Sequence, residues 1–370
     1  MGHAWIDGRP VALHAALSEA ANVLAACRAP VVAGLGTDIA GARAAIMLAQ
    51  RLGAAVDHMN SEAVLRDLAV MREAGMMVTT PNVARLRADV LLLIGARLMD
   101  AWPQLHQCLL APPAELPAED RLVRRVMRLC PGRSPAGSPA LEQAQVVGRS
   151  PDDLPVLLAA LRARVAGRPV RKIPLAAKAL DALAADLRAA RFGVAVWSAA
   201  ELDALTIEML CGLVDDLNAE TRFTGLPLAP GDNASGAMQA CGWMTGFPMR
   251  TGFARGYPEH DPWRFDAARL VDSGEADCAL WISAYRAAAP QWKRRVPMIA
   301  LSAQGADFLH APRVHIEVGC PGIDHDAVEH CPINGMLVPV AARKPSRTIS
   351  VADAIADIAA VLPSAGARSC

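Results

Sequence analysis

No two of the nine cysteines stand at C-x-x-C spacing; they are scattered at 27, 108, 130, 211, 241, 278, 320, 331 and 370. Iron–sulfur clusters and structural zinc need grouped thiolates, so neither is expected. An odd, unpatterned set reads as reduced thiols, mostly small core residues. Charge of one sign is missing too. The 37 Lys+Arg balance 37 Asp+Glu, so no global field favours nucleic acid, and any basic site is local. No apolar run approaches the ~20 residues of a membrane span. The opening MGHAWIDGRP has no basic-then-apolar leader pattern, so a cytoplasmic protein off the membrane is expected. Aromatics are scarce at 4% against 53% hydrophobic residues, many of them alanine. Nucleophile-elbow, zincin and Walker A motifs are lacking, and Ser, Cys and His do not form a nucleophile with its base.

What is present is an α/β rhythm. Residues 11–28 have helical spacing, PVVAGLG (30–36) is a buried strand ending in glycines, and a helix over 38–52 leads to the strand AAVDH (54–58). That strand–helix–strand order marks a parallel sheet. Apolar segments at 85–95, 192–197, 220–224, 276–284, 296–303 and 313–319 continue the strands, with helices at 151–165, 175–191, 200–218 and 350–362. The fold class is therefore α/β, in two lobes with mostly parallel sheets. Stretches 111–120 and 131–139 read as Pro/Ala/Gly linkers. Between them Arg121, Arg124, Arg125 and Arg128 share one face if the segment is a helix, either a solvated face or an anion- or partner-binding stripe. The same run also reads as a strand entered by charge.

Gly34-x-Gly36-Thr37 is not G-x-G-x-x-G, and a tight turn without ligand explains it as well as a nucleotide site. Asp324-His325-Asp326 with Glu329-His330-Cys331 gathers possible metal ligands but lies beside the turn signal Asn334-Gly335, so a polar loop is expected. Residues 231–263, rich in Gly, Pro, Asn and aromatics, have no helical or strand period and read as one long functional loop. Arg250 and Arg255 inside it are either solvated or placed to meet phosphate or carboxylate.

That segment carries a family resemblance. Gly231-Asp232-Asn233, Gly236-Ala237-x-Gln239, Trp243-x-Thr245-Gly246-Phe247-Pro248 and Phe253-x-Arg255-Gly256-Tyr257-Pro258 resemble the B subunit of formylmethanofuran dehydrogenase, of the molybdopterin oxidoreductase superfamily. The bacterial branch, the B subunit of the formyltransferase/hydrolase complex of methylotrophs, is the nearest match. The resemblance implies the central domains of a molybdopterin oxidoreductase without the iron–sulfur domain. It implies a discontinuous α/β domain of residues 1–60 plus 167–370, and a smaller inserted domain of 61–166. In the family the point after the second strand carries a Cys or selenocysteine for molybdenum or tungsten. Here Asn60-Ser61-Glu62 stands there, and Ser and Glu are not soft ligands.

The implied function is a non-redox scaffold subunit. The complex moves C1 formyl groups between tetrahydromethanopterin, a methanofuran-like carrier and formate. The implied partners are an amidohydrolase-like hydrolase subunit, a β-rich subunit and the formyltransferase subunit of the same complex. No cofactor, metal or catalytic residue is expected in this chain itself, the carrier acting at the level of the complex. Arg250, Arg255, Gly34 and Gly36 mark a vestigial or carrier-tail cleft. Two alternatives stand open: an active Mo/W dehydrogenase subunit ligating metal through Ser61 or another ligand, and a nucleotide-binding enzyme using the Gly34/Gly36 turn.

Overall fold

Short apolar strands alternating with alanine-rich helices fold here as two α/β units, described in a computed structural model. It describes residues 3–102, 105–110, 123–131, 141, 144–148, 150–171, 173 and 175–363. The first unit comprises Met1–Ser61, Asp232–His330 and Leu337–Cys370, the second Glu62–Gly231 and Cys331–Met336. No helix among the described residues is long and apolar enough to cross a membrane.

In the first unit, five parallel strands run in the order Ala55–Val56, Pro30–Gly36, Cys278–Ser283, Met298–Ser302 and Val314–Glu317. Antiparallel strands border them. Thr251–Gly252 and then Glu259–His260 extend one side, while Ala4–Ile6 and then Arg9–Pro10 extend the other. Val31, Ala33, Ala279 and Trp281 point alternately to one face and pack with Val271 of the helix Ala267–Ser273 and with Trp292. Helix Ile39–Leu52 is started by Asp38, whose carboxylate accepts the Gly41 N–H at 3.0 Å, and ended by Gly53 in the left-handed region at φ 69.

The second unit is a five-stranded parallel sheet in the order Gln145–Val147, Arg125–Leu129, Val90–Ile94, Gly193–Trp197, Phe223–Pro227. Leu92, Met127, Ala195 and Trp197 join one core, while Leu91, Leu93, Val194, Val196 and Leu226 join the core on the opposite face. Both faces are dry, which is why these strands read as unbroken apolar runs.

Three expectations change. The chain returns to the first unit at Asp232 rather than at 167, because strands Gly193–Trp197 and Phe223–Pro227 hydrogen-bond into the second unit's sheet. Of the two readings of the arginine run, helix or strand entered by charge, the strand holds at Arg125–Leu129. Arg125 ion-pairs with Asp186 at 2.6 Å, Arg124 donates to the carbonyls of Ala88 and Leu109, and Arg128 is buried, so the three described arginines do not form a stripe. Arg121 lies outside the described residues, as do the linkers 111–120 and 132–139.

The third change concerns the long loop. It contains the helix Ala234–Thr245 and the hairpin Thr251–Gly252/Glu259–His260. Glycines weaken a helix in isolation. Here Gly236 leaves room for the Asn233 amide, and the helix, with Ala237, Ala240 and Cys241 buried, packs on Ile39–Leu52.

Candidate functional site

Strand Pro30–Gly36 has the next strand in sequence, Ala55–Val56, on one side and Cys278–Ser283 on the other. Chain direction therefore diverges at its carboxyl end, where doubly wound sheets open a crevice for ligands. Gly36-Thr37-Asp38, Asp57–Ser61 and Ser283–Arg286 meet there, joined by Asp232-Asn233 at the start of helix Ala234–Thr245.

Asp232 is the hub. Its carboxylate accepts from Arg286, Nε at 2.8 Å to both oxygens and Nη2 at 2.7 Å, and from Asn60 Nδ2 at 3.2 Å. Multiple charge-assisted bonds of this kind hold both partners in one orientation. Asp232 and Asn233 are both left-handed, at φ 59 and 56. Asn233 donates through Nδ2 to the Thr37 carbonyl at 2.9 Å and accepts the His330 N–H at 2.9 Å. A Cβ on residue 236 would overlap the Asn233 amide, which accounts for Gly236 in the motif.

His58 is fixed on both ring nitrogens. Nδ1 accepts the Asn60 N–H at 3.0 Å, so Nε2 carries the proton and donates to the Asp232 carbonyl at 3.1 Å. Burial pushes its pKa down to about 4. The buried side chain thus stays neutral, and its contribution to stability is full above about pH 6.5 and lost as pH falls through about 4. Adjacent Asp57 runs the other way: burial pushes it up to about 6 although Arg250 pulls it down, so its contribution is present at low pH and lost as pH rises through about 6. Nitrogen-15 NMR is expected to show a neutral Nε2–H ring for His58 down to roughly pH 5. Titration near the free-imidazole value sinks this assignment.

The residues singled out from sequence do not converge. Gly34, at φ 84, lies where the register against Trp281 and Ser283 shifts, and a Cβ there would overlap the Ile282 carbonyl. Gly36 faces the crevice, since a Cβ there would meet Met59 Cε at 2.9 Å and Asp232 Cβ at 3.5 Å. Arg250 is buried, its Nη2 2.6 Å from Asp266 Oδ2, its Nε 3.6 Å from Asp57 Oδ2, its Nη1 donating to the Pro262 carbonyl at 2.7 Å. Arg255, its side chain 62% exposed, pairs with Glu259 at 3.0 Å and lies over the Tyr257 ring. Sequence pattern singles out neither His58 nor Arg286, and marks Asn60 only as the neighbour of Ser61, although Asp232 lies inside the family motif.

Position 61 tests the fit of a thiolate-held metal. Ser61 is buried, and its Oγ accepts the His58 N–H at 3.0 Å. With Asn60 and Glu62 beside it the local donors are hard oxygens, a poor match for a soft-ligand metal centre. Further along, Asp324 accepts the Cys320 N–H at 2.7 Å and Asp326 the Ala342 N–H at 2.8 Å, while Glu329–Cys331 lie in the strand Ala327–Cys331. These carboxylates secure turns.

No family model matches the sequence. The chain is 36% identical over 322 residues to the Fhc B subunit of the formyltransferase/hydrolase complex of Methylorubrum extorquens, covering 86% of this chain and 85% of that one. It is 24% identical over 338 residues to the B subunit of tungsten-containing formylmethanofuran dehydrogenase 2 of Methanocaldococcus jannaschii, 86% of this chain and 76% of that one. A chain in the crystal structure of the M. extorquens complex FhcABCD with methylofuran matches with a TM-score of 0.84 and 34% identity, over 96% of this chain and 97% of that one.

Proposed function

The chain belongs to the family of the Fhc B subunit of the formyltransferase/hydrolase complex, and from that premise we propose that it is a non-redox scaffold subunit. Its complex moves C1 formyl groups between tetrahydromethanopterin, a methanofuran-like carrier and formate. The other subunits of the same complex, the amidohydrolase-like, β-rich and formyltransferase ones, are its partners. The observation that carries the non-redox half is Ser61, an inward-turned alcohol where the family resemblance places a metal-binding thiolate or selenolate. The 36% identity to an Fhc protein, against 24% to its tungsten-containing counterpart, supports the same choice over the dehydrogenase reading.

Finer parts of the reading follow. The two parallel-sheet units correspond to the central domains of molybdopterin oxidoreductases, a proposal supported by the ligand-crevice topology of the first. The carrier works at the level of the complex, supported by methylofuran in the related assembly. Its anionic tail is met by Arg255, which exchanges Glu259 for a tail carboxylate, while Arg250 fixes the hairpin and Gly34 and Gly36 shape the end of the central strand. The scattered cysteines suit a reducing cytoplasm.

Co-expression with the partner subunits tests the reading. A stable assembly without stoichiometric molybdenum or tungsten is the expected result. Either metal bound with pterin in this polypeptide overturns the non-redox assignment, and an Arg255→Glu variant that retains carrier normally rejects the tail contact.

A further inference from the structure

We propose that the second unit holds a binding site for an α-amino acid with a large apolar side chain, in the cleft where the helices Leu154–Val165 and Ala204–Leu217 meet the end of Ser61–Ala74. The cleft encloses about 520 Å³, within the range of small-molecule sites. Every residue lining it belongs to the second unit, so it is separate from the crevice around Asp232.

The helix period sets out the charges. Glu208, Cys211, Gly212 and Asp215 stand at i, i+3, i+4 and i+7, so they share one face of Ala204–Leu217. Arg162 reaches that face from Leu154–Val165. Its guanidinium lies against Gly212, where a Cβ would stand 2.3 Å from Cζ. Nε donates to Asp216 at 2.8 Å, which holds the plane of the fork. Nη1 and Nη2 make no hydrogen bond among the described residues, and a guanidinium edge grips a carboxylate at two points. Glu208 and Asp215, about one turn to either side of Gly212, have no ion pair or side-chain hydrogen bond among the described residues. Nearby Arg72 and Glu73 pair with each other.

These charges select the occupant. Asp216 balances Arg162, and the two remaining acids suit an ammonium group. A simple amine, however, meets the guanidinium midway along the face, and a simple carboxylate meets the acids. A zwitterion satisfies both signs. The wall beside them is apolar and held in place. Met76 packs on the core, and the Met77 carbonyl accepts the Gly225 N–H at 2.8 Å. Cys211 is 9% exposed, and burial pushes its thiol up to about 11, so it stays neutral. Thioethers mould themselves to apolar and aromatic groups, which places the ligand's side chain against the methionines.

The test titrates the full chain with L-phenylalanine by calorimetry. Saturable binding with Kd of about 1 mM or below is the expected result. N-acetylphenylalanine lacks the ammonium, phenethylamine the carboxylate and glycine the apolar group, and each is expected to bind at least about tenfold more weakly. Gly212→Ala favours the helix and so keeps the fold, but its methyl group displaces the guanidinium, and binding should fall at least about tenfold. Glu208→Gln combined with Asp215→Asn should cause a loss of the same size. Val156→Ser, 49% exposed and outside the lining, should stay within about twofold. Failure to saturate, binding of phenethylamine or N-acetylphenylalanine as tight as that of phenylalanine, or unchanged affinity in Gly212→Ala overturns the site. None of these results bears on the scaffold reading, which association with the partner subunits tests separately.

Discussion

Replacing Arg250 with leucine is expected to lower the free energy of unfolding by about 3–5 kcal/mol, the usual cost of removing one member of a buried ion pair. Its side chain is only 11% exposed, and the guanidinium stands between the carboxylates of Asp57 and Asp266 and also satisfies the Pro262 carbonyl. Leucine fills part of the volume but leaves two acids facing each other without a cation. Asp57 is already pushed up to about 6 by burial, with Arg250 opposing that shift. In the variant Asp57 holds its proton to higher pH, so stability keeps falling with rising pH above the wild-type window. Urea unfolding at constant m-value reads the loss as a shift in midpoint. The contrast is Arg255→Leu. Its ion pair with Glu259 is largely solvated and is worth at most about 1 kcal/mol. Equal losses at the two positions refute the clamp role of Arg250.

Gly34→Ala is expected to cost about 2–5 kcal/mol, from a left-handed backbone penalty of roughly 1–2 and overpacking of roughly 1–3. The residue sits at φ 84, and a methyl group there would run into the Ile282 carbonyl and stand 3.1 Å from both Ile282 N and Trp281 Cδ2. These atoms belong to the neighbouring strand, so relief requires the sheet itself to shift. Gly256→Ala isolates the backbone component, because Gly256 has φ 83 but nothing within 4 Å of the added carbon. It should cost only about 1–2 kcal/mol. Thermal unfolding of the pair decides: indistinguishable melting points show that the strands part cheaply, and the close-packing account fails.

These two residues show how far the sequence was legible. The strands were readable because parallel sheets buried on both faces leave continuous apolar runs, as in Val90–Ile94 and Cys278–Ser283. Gly34 and Arg250 were noticed for their chemistry, yet each is explained by packing: one by a strand crossing too near for a Cβ, the other by two acids distant in sequence from it or from each other. Helix Ala234–Thr245 is hidden in the sequence because its glycines lower intrinsic propensity, and only the folded Asn233 amide shows why Gly236 is needed. The second unit's last two strands were misassigned because pairing partners in a parallel sheet lie far apart along the chain and leave no local mark. His58 and Arg286 escaped for the same reason, since Asp232 makes the crevice by joining segments more than fifty residues apart.

The borders of the first unit's sheet are two residues long on each side, Arg9–Pro10 and Glu259–His260. A growing fibril needs a straight ladder of unmet amides to zip onto, and proline has no amide hydrogen to offer. Copies synthesised ahead of their companions therefore present no template along these margins, so a surplus of this polypeptide awaits assembly without seeding aggregation there.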